Sequence, residues 1–226
     1  IMNILIDERI RNKEEDFLKN ELNLNVEKIR LSSFVYPEIS GHSDIFYAKI
    51  NNKIYCSPNA PIKNPSFIIG KEEVKNTYPD DVKYNICQIG NNIIGSKYAD
   101  KEIIKYINIF VKQGYAKCNI SVTGSNSCLT SDIGIYKELI KHNIDVTYID
   151  DDNIHLLDKN NNISKMKGFI GGASFVFNNY FVVFGDINNL EEENKEKILN
   201  HLEKYKLKLK TFEGLDIIDY GGAIIY

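Results

Sequence analysis

The sequence predicts an α/β fold made of repeated hairpin–helix–strand units, a prediction that rests on two observations. Three stretches read alike, each an apolar run, an Asn-Asn pair and a second apolar run, centred on Asn51-Asn52, Asn91-Asn92 and Asn178-Asn179. Forty residues separate the first two pairs and 87 separate the second and third, which is about two further periods. Because asparagine tolerates a positive φ, each pair suits a two-residue hairpin turn. A period of this size indicates a propeller or an array.

Apolar periodicity places the elements of the first half of the chain in order. It predicts a strand at 3–6, a helix at 12–21, a strand at 26–31, a hairpin at 44–50 and 53–57, a short helix at 71–77 and a second hairpin at 84–89 and 92–96. A helix at 99–113 follows, because Ile103, Ile107 and Phe110 fall on one stripe. Gly114 is a normal residue just after a helix end.

The second half continues the same order. It predicts a strand at 116–122, a turn at 124–127, a helix to Lys141 capped by Ser131 or Asp132, strands at 144–149 and 153–157, a third hairpin at 175–184, a helix at about 190–204 and strands at 207–212 and 216–225. Five ββαβ units of this kind are expected to form a ring, a five-bladed α/β propeller, with the helices outside. Pairing of the first strand with the last would close the ring and remove exposed edges.

Composition restricts the function classes. The 226 residues suffice for one sizeable core, and no Pro-, Gly- or Ser-rich linker divides them, so one domain spanning 1–226 is expected. The formal net charge of −3 argues against nucleic-acid binding. No apolar run has the length of a membrane span, no signal peptide precedes the first strand, and the four cysteines lack C-x-x-C spacing. We therefore expect a cytoplasmic protein with reduced thiols, no metal and no cofactor, while the oligomeric state stays open.

Four short segments resemble one superfamily. Gly41-His42-Ser43-Asp44, just before the first hairpin, is similar to the G-H-x-D segment of the pentein, or guanidine-modifying enzyme, fold. The segments 130–135, 168–174 and 219–222 look like an uncharacterised clostridial branch of that superfamily. The superfamily includes arginine deiminases, agmatine deiminases, dimethylarginine hydrolases and amidinotransferases. The resemblance implies a pentein fold over nearly the whole chain, with His42 as acid/base and Asp44 as the guanidinium-binding carboxylate.

The chemistry explains why such residues are needed. A guanidinium is planar and presents a rigid fork of N–H donors, which a carboxylate matches with two hydrogen bonds. Its central carbon is a poor electrophile, so hydrolysis uses a thiolate to form a covalent adduct. A positioned histidine then protonates the leaving amine and later activates water.

The sequence departs from the active members of that superfamily. There, the nucleophilic cysteine lies a few residues beyond a C-terminal Gly-Gly segment, whereas Gly221-Gly222 is followed here by Ala223, Ile224, Ile225 and Tyr226. An acidic residue before Gly-Gly-Asp early in the chain also has no counterpart. We therefore expect a small guanidine-like or cationic ligand in an axial pocket rather than classical guanidine hydrolysis.

Several residues are candidates for this pocket, and each has an alternative interpretation. The carboxylates are Asp44, Asp132, Asp186 and Asp219, any of which could instead cap a helix or a turn. Paired glycines are at Gly171-Gly172 and Gly221-Gly222, where close packing at the ring centre would also explain them. Cys128 could replace the missing thiol or be a buried free cysteine.

Two further functions remain open at this point. One is an active amidine or guanidine hydrolase, deiminase-like, that uses His42 and Asp44 with Cys128 as a displaced nucleophile. The other is a non-catalytic module that binds proteins or ribosomes, since the superfamily fold also occurs in a ribosome-associated translation factor.

Overall fold

The computed structural model describes residues 1–226 and is a mixed α/β protein with six three-stranded sheets. The strands are β1 Met2–Asp7, β2 Leu24–Ile29, β3 Tyr47–Ile50, β4 Lys53–Cys56, β5 Ile68–Ile69, β6 Cys87–Ile89, β7 Asn92–Gly95, β8 Ile109–Phe110, β9 Ile120–Gly124, β10 Ser127–Thr130, β11 Asp145–Tyr148, β12 Ile154–Leu157, β13 Ile163–Lys167, β14 Ser174–Phe177, β15 Tyr180–Val183, β16 Lys208–Lys210, β17 Ile217–Ile218 and β18 Ile224–Ile225. The α-helices are α1 Asn12–Asp16, α2 Ser43–Phe46, α3 Ala116–Asn119, α4 Ile133–Lys141 and α5 Glu192–Lys204.

Four of the sheets share one pattern, in which two strands form an antiparallel hairpin and the second of them also pairs in parallel with a third strand. They are β3-β4-β5, β6-β7-β8, β9-β10-β11 and β14-β15-β16. The predicted hairpins are confirmed, and both residues of Asn51-Asn52 and Asn178-Asn179 have positive φ, between 48° and 64°. The β9–β10 turn falls at 125–126, inside the long gap where the repeat predicts an additional unit.

The second turn is one residue earlier than the Asn-Asn pattern predicts. Ile89 pairs with Asn92, so the turn residues are Gly90 and Asn91, and Gly90 has a φ of 57°. Glycine adopts positive φ without steric cost, so it takes the first turn position in preference to asparagine.

The two ends of the chain form a further sheet of the same pattern. β18 pairs antiparallel with β1, and β2 pairs in parallel with β1. Asn3 and Tyr226 exchange two backbone hydrogen bonds, of 2.8 and 2.9 Å. The predicted pairing of the first and last strands is therefore present.

The first strands of these five sheets lie next to one another in succession. β18 contacts β3, β3 contacts β6, β6 contacts β9, and β9 contacts β14. Two hydrogen bonds between Asn51 and Gln88, of 2.8 and 3.0 Å, join neighbouring hairpin turns. These strands and the segments beside them line an open cavity of about 680 Å³, the central cavity.

A sixth sheet was not predicted. In it β12 pairs antiparallel with β13 and in parallel with β17. The predicted strand at 216–225 is two short strands, β17 and β18, because Gly221 and Gly222 between them have φ values of 74° and 67° that no strand allows.

The predicted helices at 71–77 and 99–113 are absent. Val74 N donates to Ser57 Oγ and Asn59 Oδ1 at 3.2 Å each, and Lys75 N donates to the Asp80 carbonyl at 3.2 Å, so the N–H groups that would bond within a helix at 71–77 are used elsewhere. The Asp100 carboxylate holds the start of this segment by accepting the N–H groups of Lys71 and Glu72 at 2.8 and 2.7 Å. The chain then makes a single 3₁₀ turn at Ile104–Tyr106 and enters β8 beside β7. Helices therefore fill three of the five crossovers, through α1, α4 and α5, rather than all five.

Two helical turns stand where strands were predicted to begin. α2 immediately precedes β3, and α3 immediately precedes β9. Four hydrophobic clusters fill the space between the sheets, the largest with 22 buried residues. No helix has both the length and the apolar character needed to cross a membrane.

Candidate functional site

The segments that precede the first strands bring five polar side chains together. They form the buried polar cluster, which consists of His42, Asp44, Asn85, Cys118 and Asp219. Each is at most 3% exposed. Helical turns α2 and α3 supply Asp44 and Cys118, while the segment between β17 and β18 supplies Asp219. Polar side chains so fully removed from water require partners, so their contacts decide what the site can do.

Asp44, Cys118 and Asn85 are linked by hydrogen bonds. The Cys118 thiol donates to Asp44 Oδ2 at 2.9 Å, and Asn85 Nδ2 lies 3.2 Å from Cys118 Sγ and donates to the Asp44 carbonyl at 3.0 Å. Asn85 Oδ1 accepts the backbone N–H groups of Lys117 and Cys118 at 2.7 and 3.2 Å. Asn85 thus fixes α3 against α2 and holds the thiol against the carboxylate.

Asp219 is fixed by backbone donors. Its Oδ2 accepts from Phe169 N at 2.9 Å and its Oδ1 from Gly221 N at 2.8 Å. His42 Nδ1 lies 3.9 Å from Asp219 Oδ1, and His42 Nε2 lies 4.0 Å from Asp7 Oδ2. Both distances exceed a hydrogen bond. The imidazole is therefore flanked by two carboxylates and bonded to neither.

Three buried atoms of the cluster have no hydrogen-bond partner: His42 Nδ1, His42 Nε2 and Asp44 Oδ1. Elsewhere Asp81 Oδ1 and Asn119 Oδ1 share this state, but those side chains bond through their other polar atom. Of the residues with such atoms, His42 is the one whose side chain forms no hydrogen bond of normal geometry, although its imidazole contacts the Asp219 backbone. Leaving a buried polar group unsatisfied costs about 1–3 kcal/mol, so such a group in a native fold calls for a physical reason.

Burial dominates the ionisation of the cluster. It raises the pKa of Asp44 to about 6, and together with the Asp44 charge it raises the pKa of Asp219 to about 7. Burial and the nearby Arg9 charge hold the pKa of His42 well below its ordinary value, although the adjacent Asp219 backbone acts in the opposite direction. Burial and the Asp44 charge raise the pKa of the Cys118 thiol well above its ordinary value. The resting site therefore holds a neutral imidazole and a protonated thiol.

Arg9 engages the second carboxylate beside His42. Its guanidinium donates to Asp7 Oδ1 and Oδ2 at 2.9 and 2.6 Å, and to the carbonyls of Pro37, Glu38 and Leu157 at 2.9–3.1 Å. Both carboxylate oxygens of Asp7 therefore accept hydrogen bonds from Arg9. Asp44 is the carboxylate of the cluster that keeps one oxygen, Oδ1, without a hydrogen-bond partner.

The paired glycines allow backbone to pack against the cluster. At Gly221, where φ is +74°, a Cβ would lie 2.3 Å from the His42 Cβ, and at Gly172 it would lie 1.8 Å from Asp219 Oδ1. Gly171 packs against the α3 backbone, and Gly222 donates to the Gly172 carbonyl at 2.8 Å. Close packing, the alternative interpretation, accounts for these four glycines.

Asp132 and Asp186 lie outside the cluster. Asp132 caps α4, where its Oδ1 accepts from Ile135 N at 2.7 Å. Asp186 accepts from Asn188 N at 3.0 Å and Gly214 N at 2.9 Å. Their carboxylates satisfy backbone groups, which is the turn and cap chemistry that the sequence left as the alternative.

Cys128 also lies elsewhere. It is fully buried on β10 in a hydrophobic cluster with Cys87, Ile89 and Ile94, and burial raises the pKa of its thiol. All four cysteines are unpaired. The sulfur that meets Asp44 is that of Cys118, not that of Cys128.

Sequence reasoning missed Cys118 and Asn85, although a signal for Cys118 was present. Asp44, Cys118 and Gly171 each lie seven residues before the first turn residue of their hairpins, at 51, 125 and 178. The turn at 125–126 is Ser-Asn rather than Asn-Asn, so the sequence pattern does not reveal that Cys118 occupies the same position before its hairpin as Asp44 does.

A family model described as a family of unknown function, DUF6873, matches residues 5–224, nearly the whole chain. No curated protein matches the chain.

Proposed function

The chain belongs to the DUF6873 family, and we propose that its buried polar cluster binds one small amidinium or guanidinium group. The observation that supports this most strongly is the set of unpartnered buried atoms, both nitrogens of His42 and Oδ1 of Asp44. An amidinium carries N–H donors in one plane and can donate to a neutral imidazole nitrogen and a carboxylate oxygen together.

Charge supports the same ligand class. The pKa of Asp44 is about 6, so at neutral pH its buried carboxylate is mostly ionised. A cation beside Asp44 and Asp219 would favour the ionised form of both. Binding would therefore strengthen as the pH rises through these pKa values.

We further propose that the molecule is a five-bladed α/β propeller of the pentein type, acting in the cytoplasm. The succession of first strands and the pairing of β18 with β1 support the ring. The four unpaired thiols support a reducing compartment. The site then lies where the segments preceding the first strands meet the ring axis.

A thermal-shift series tests ligand binding. Agmatine, arginine and methylguanidine are compared with cadaverine and lysine, which carry ammonium groups in place of the planar fork. At one hundred times its dissociation constant a ligand adds about 2.7 kcal/mol of stability, so a rise of several degrees in Tm is expected for the planar cations.

Asp44→Asn should abolish that rise. Asp132→Asn is the matched control, because it makes the same chemical change at a helix cap that asparagine also fills. Equal shifts for all five compounds, or a shift that survives in Asp44→Asn, would refute the proposal.

A second candidate function is amidine hydrolysis with Cys118 as nucleophile, favoured by the 2.9 Å contact of its sulfur with Asp44. A bound cation would lower the raised pKa of the thiol by favouring the thiolate. The thiol proton would pass to Asp44 Oδ2, the thiolate would form a bond to the central carbon, and the C–N bond would break as ammonia leaves with that proton. Water would then cleave the S–C bond, returning the thiol and releasing the ureido or amide product.

Ammonia release separates binding from turnover. Under the hydrolase alternative the wild type and Cys128→Ser release ammonia from a guanidino substrate, and Cys118→Ser does not. If agmatine shifts the Tm and no ammonia appears, the protein binds without hydrolysis. If Cys118→Ser retains full turnover, this nucleophile assignment is wrong.

A further inference from the structure

The central cavity borders the buried polar cluster at Lys117 and opens beside the hairpin turns. Its lining comes from β3, β6, β9, β14 and β18, the adjoining segments and Met2 of β1. The volume of about 680 Å³ falls within the range of about 300–1,000 Å³ that small-molecule sites occupy. Neither His42 nor any carboxylate lines it.

The charge of the cavity is opposite to that of the whole chain. Lys49 and Lys117 are the charged residues among the seventeen that line it, and eleven of the others are hydrophobic. The chain as a whole has a net charge of −3. A small cation would meet like charge here, whereas an anion would meet two ammonium groups on apolar walls.

The two ammonium groups differ in how well they are bonded. Lys49 Nζ donates to the Ile225 carbonyl at 2.8 Å, and burial lowers its pKa. Lys117 Nζ has one hydrogen bond, a long contact of 3.5 Å to the Gly171 carbonyl. Since an ammonium has three donors, Lys117 retains the greater capacity to bind a ligand oxygen.

The two lysines lie at different ends of the cavity. Lys117 is the second residue of α3, which leads into β9 at the end of that strand away from its hairpin turn. Lys49 lies two residues before the Asn51-Asn52 turn. Apolar side chains such as Val122, Phe175 and Phe177 also line the cavity. A ligand whose acidic head reaches Lys117 would therefore have apolar walls for the rest of its length.

We propose that the central cavity binds a small amphipathic carboxylate, with its acid group at Lys117 and its apolar part against the side chains of β9 and β14. The site borders the amidinium site, because the Lys117 charge also acts on Asp44 and Asp219 and favours the ionised form of both. Octanoate binding does not require a bound amidinium, so it is measured with no amidinium present.

Calorimetric titration with three eight-carbon probes of similar length tests this. Octanoate should bind to the wild-type protein, while neutral octanamide and cationic octylammonium should bind at least about tenfold more weakly. Raising the salt concentration should weaken the binding of octanoate and leave the binding of octanamide unchanged, because salt screens only the charged head group.

Lys117→Met should reduce octanoate affinity at least about tenfold and leave octanamide unchanged, since methionine keeps the apolar stem and removes the charge. Lys53→Met is the matched control, because Lys53 lies on the same hairpin as Lys49 but is exposed and outside the cavity. The wild-type probe series decides the matter even if Lys117→Met fails to fold. Absence of octanoate binding, or equal binding of octanoate and octanamide, would overturn the proposal.

Discussion

At the residue scale, Gly221 determines how closely the chain approaches His42. Its φ of +74° and its Cβ position 2.3 Å from the His42 Cβ leave no room for a side chain. Gly214 has nearly the same φ, +76°, but nothing lies within 4 Å of its Cβ position. Substitution at Gly214 therefore measures backbone strain alone, whereas substitution at Gly221 measures strain together with steric collision.

Gly221→Ala is expected to destabilise the protein by about 3 kcal/mol or more, and Gly214→Ala by about 1 kcal/mol. The difference arises because only the first change forces His42 to move. Urea unfolding of both variants measures it. Equal losses would mean that the backbone at 221 can shift away from His42 without cost.

The buried carboxylate gives the site a pH-dependent stability. Because the folded pKa of Asp44, about 6, lies above its unfolded value, the folded state retains a proton that the unfolded state releases as pH rises. The contribution is present below the unfolded pKa and is lost as pH rises to about 6. His42 acts oppositely, since its lowered pKa makes acid favour the unfolded state.

Asp44→Asn removes the Asp44 contribution together with the part of the Asp219 shift that the Asp44 charge causes. The stability of this variant relative to wild type should rise by about 3 kcal/mol or more between about pH 4 and pH 8. Urea unfolding of both proteins at several pH values measures the difference, from which the His42 effect cancels. A difference that does not change with pH would mean that Asp44 titrates normally.

At the element scale, the hairpin turns show which part of the sequence pattern was informative. The Asn-Asn pairs predict two turns correctly, because both residues of each adopt the left-handed conformation. The second turn moved by one residue because Gly90 competes for the first position. The Asn-Asn pairs, rather than the period, located the hairpins, since the turn at 125–126 has no such pair and does not keep the 40-residue spacing.

Asn179→Gly should raise stability by about 0.5–1 kcal/mol, since its φ of 64° is one that glycine adopts freely. Asn91→Gly should lower stability by a similar amount, because Asn91 has no positive φ and glycine only adds unfolded-state entropy. Thermal unfolding of the two variants checks the opposite signs. Changes of the same sign would refute this account of the turns.

Elements set by local sequence were predicted, while those set by distant partners were not. Helices α4 and α5 have amphipathic stripes and, at α4, an Asp132 cap that can be read from sequence. The stripe at 99–113 looks helical, but the Asp100 carboxylate binds a loop 28 residues earlier in the chain and β8 pairs with β7. The Cys118–Asp44 contact spans 74 residues, so it depends on the tertiary fold.

At the scale of the whole molecule, the strands at the two ends of the chain, β1 and β18, pair with each other as the two strands of a hairpin do. Ile224 is buried in the largest hydrophobic cluster, and the Tyr226 hydroxyl donates to Glu27 at 2.8 Å. The Tyr226 ring also packs edge-on against Phe67, with centroids 4.9 Å apart. The ring proposal requires this pairing to carry a large share of the stability.

Deletion of residues 224–226 should therefore lower the free energy of unfolding by about 3–5 kcal/mol, because it exposes apolar surface and leaves the edge of β1 unpaired. Deletion of Ile1, which is 93% exposed, is the control and should have little effect. Thermal unfolding compares the two deletions. An unchanged Tm after loss of 224–226 would contradict a closed ring.

The central claim is that a ligand completes the hydrogen bonds of His42 and Asp44. A crystal structure of the protein with saturating agmatine tests it most directly. The account predicts a planar guanidinium between a His42 nitrogen and Asp44 Oδ1, within reach of the Cys118 sulfur. An unoccupied cluster, with the His42 imidazole hydrogen-bonded to groups of its own chain, would contradict it.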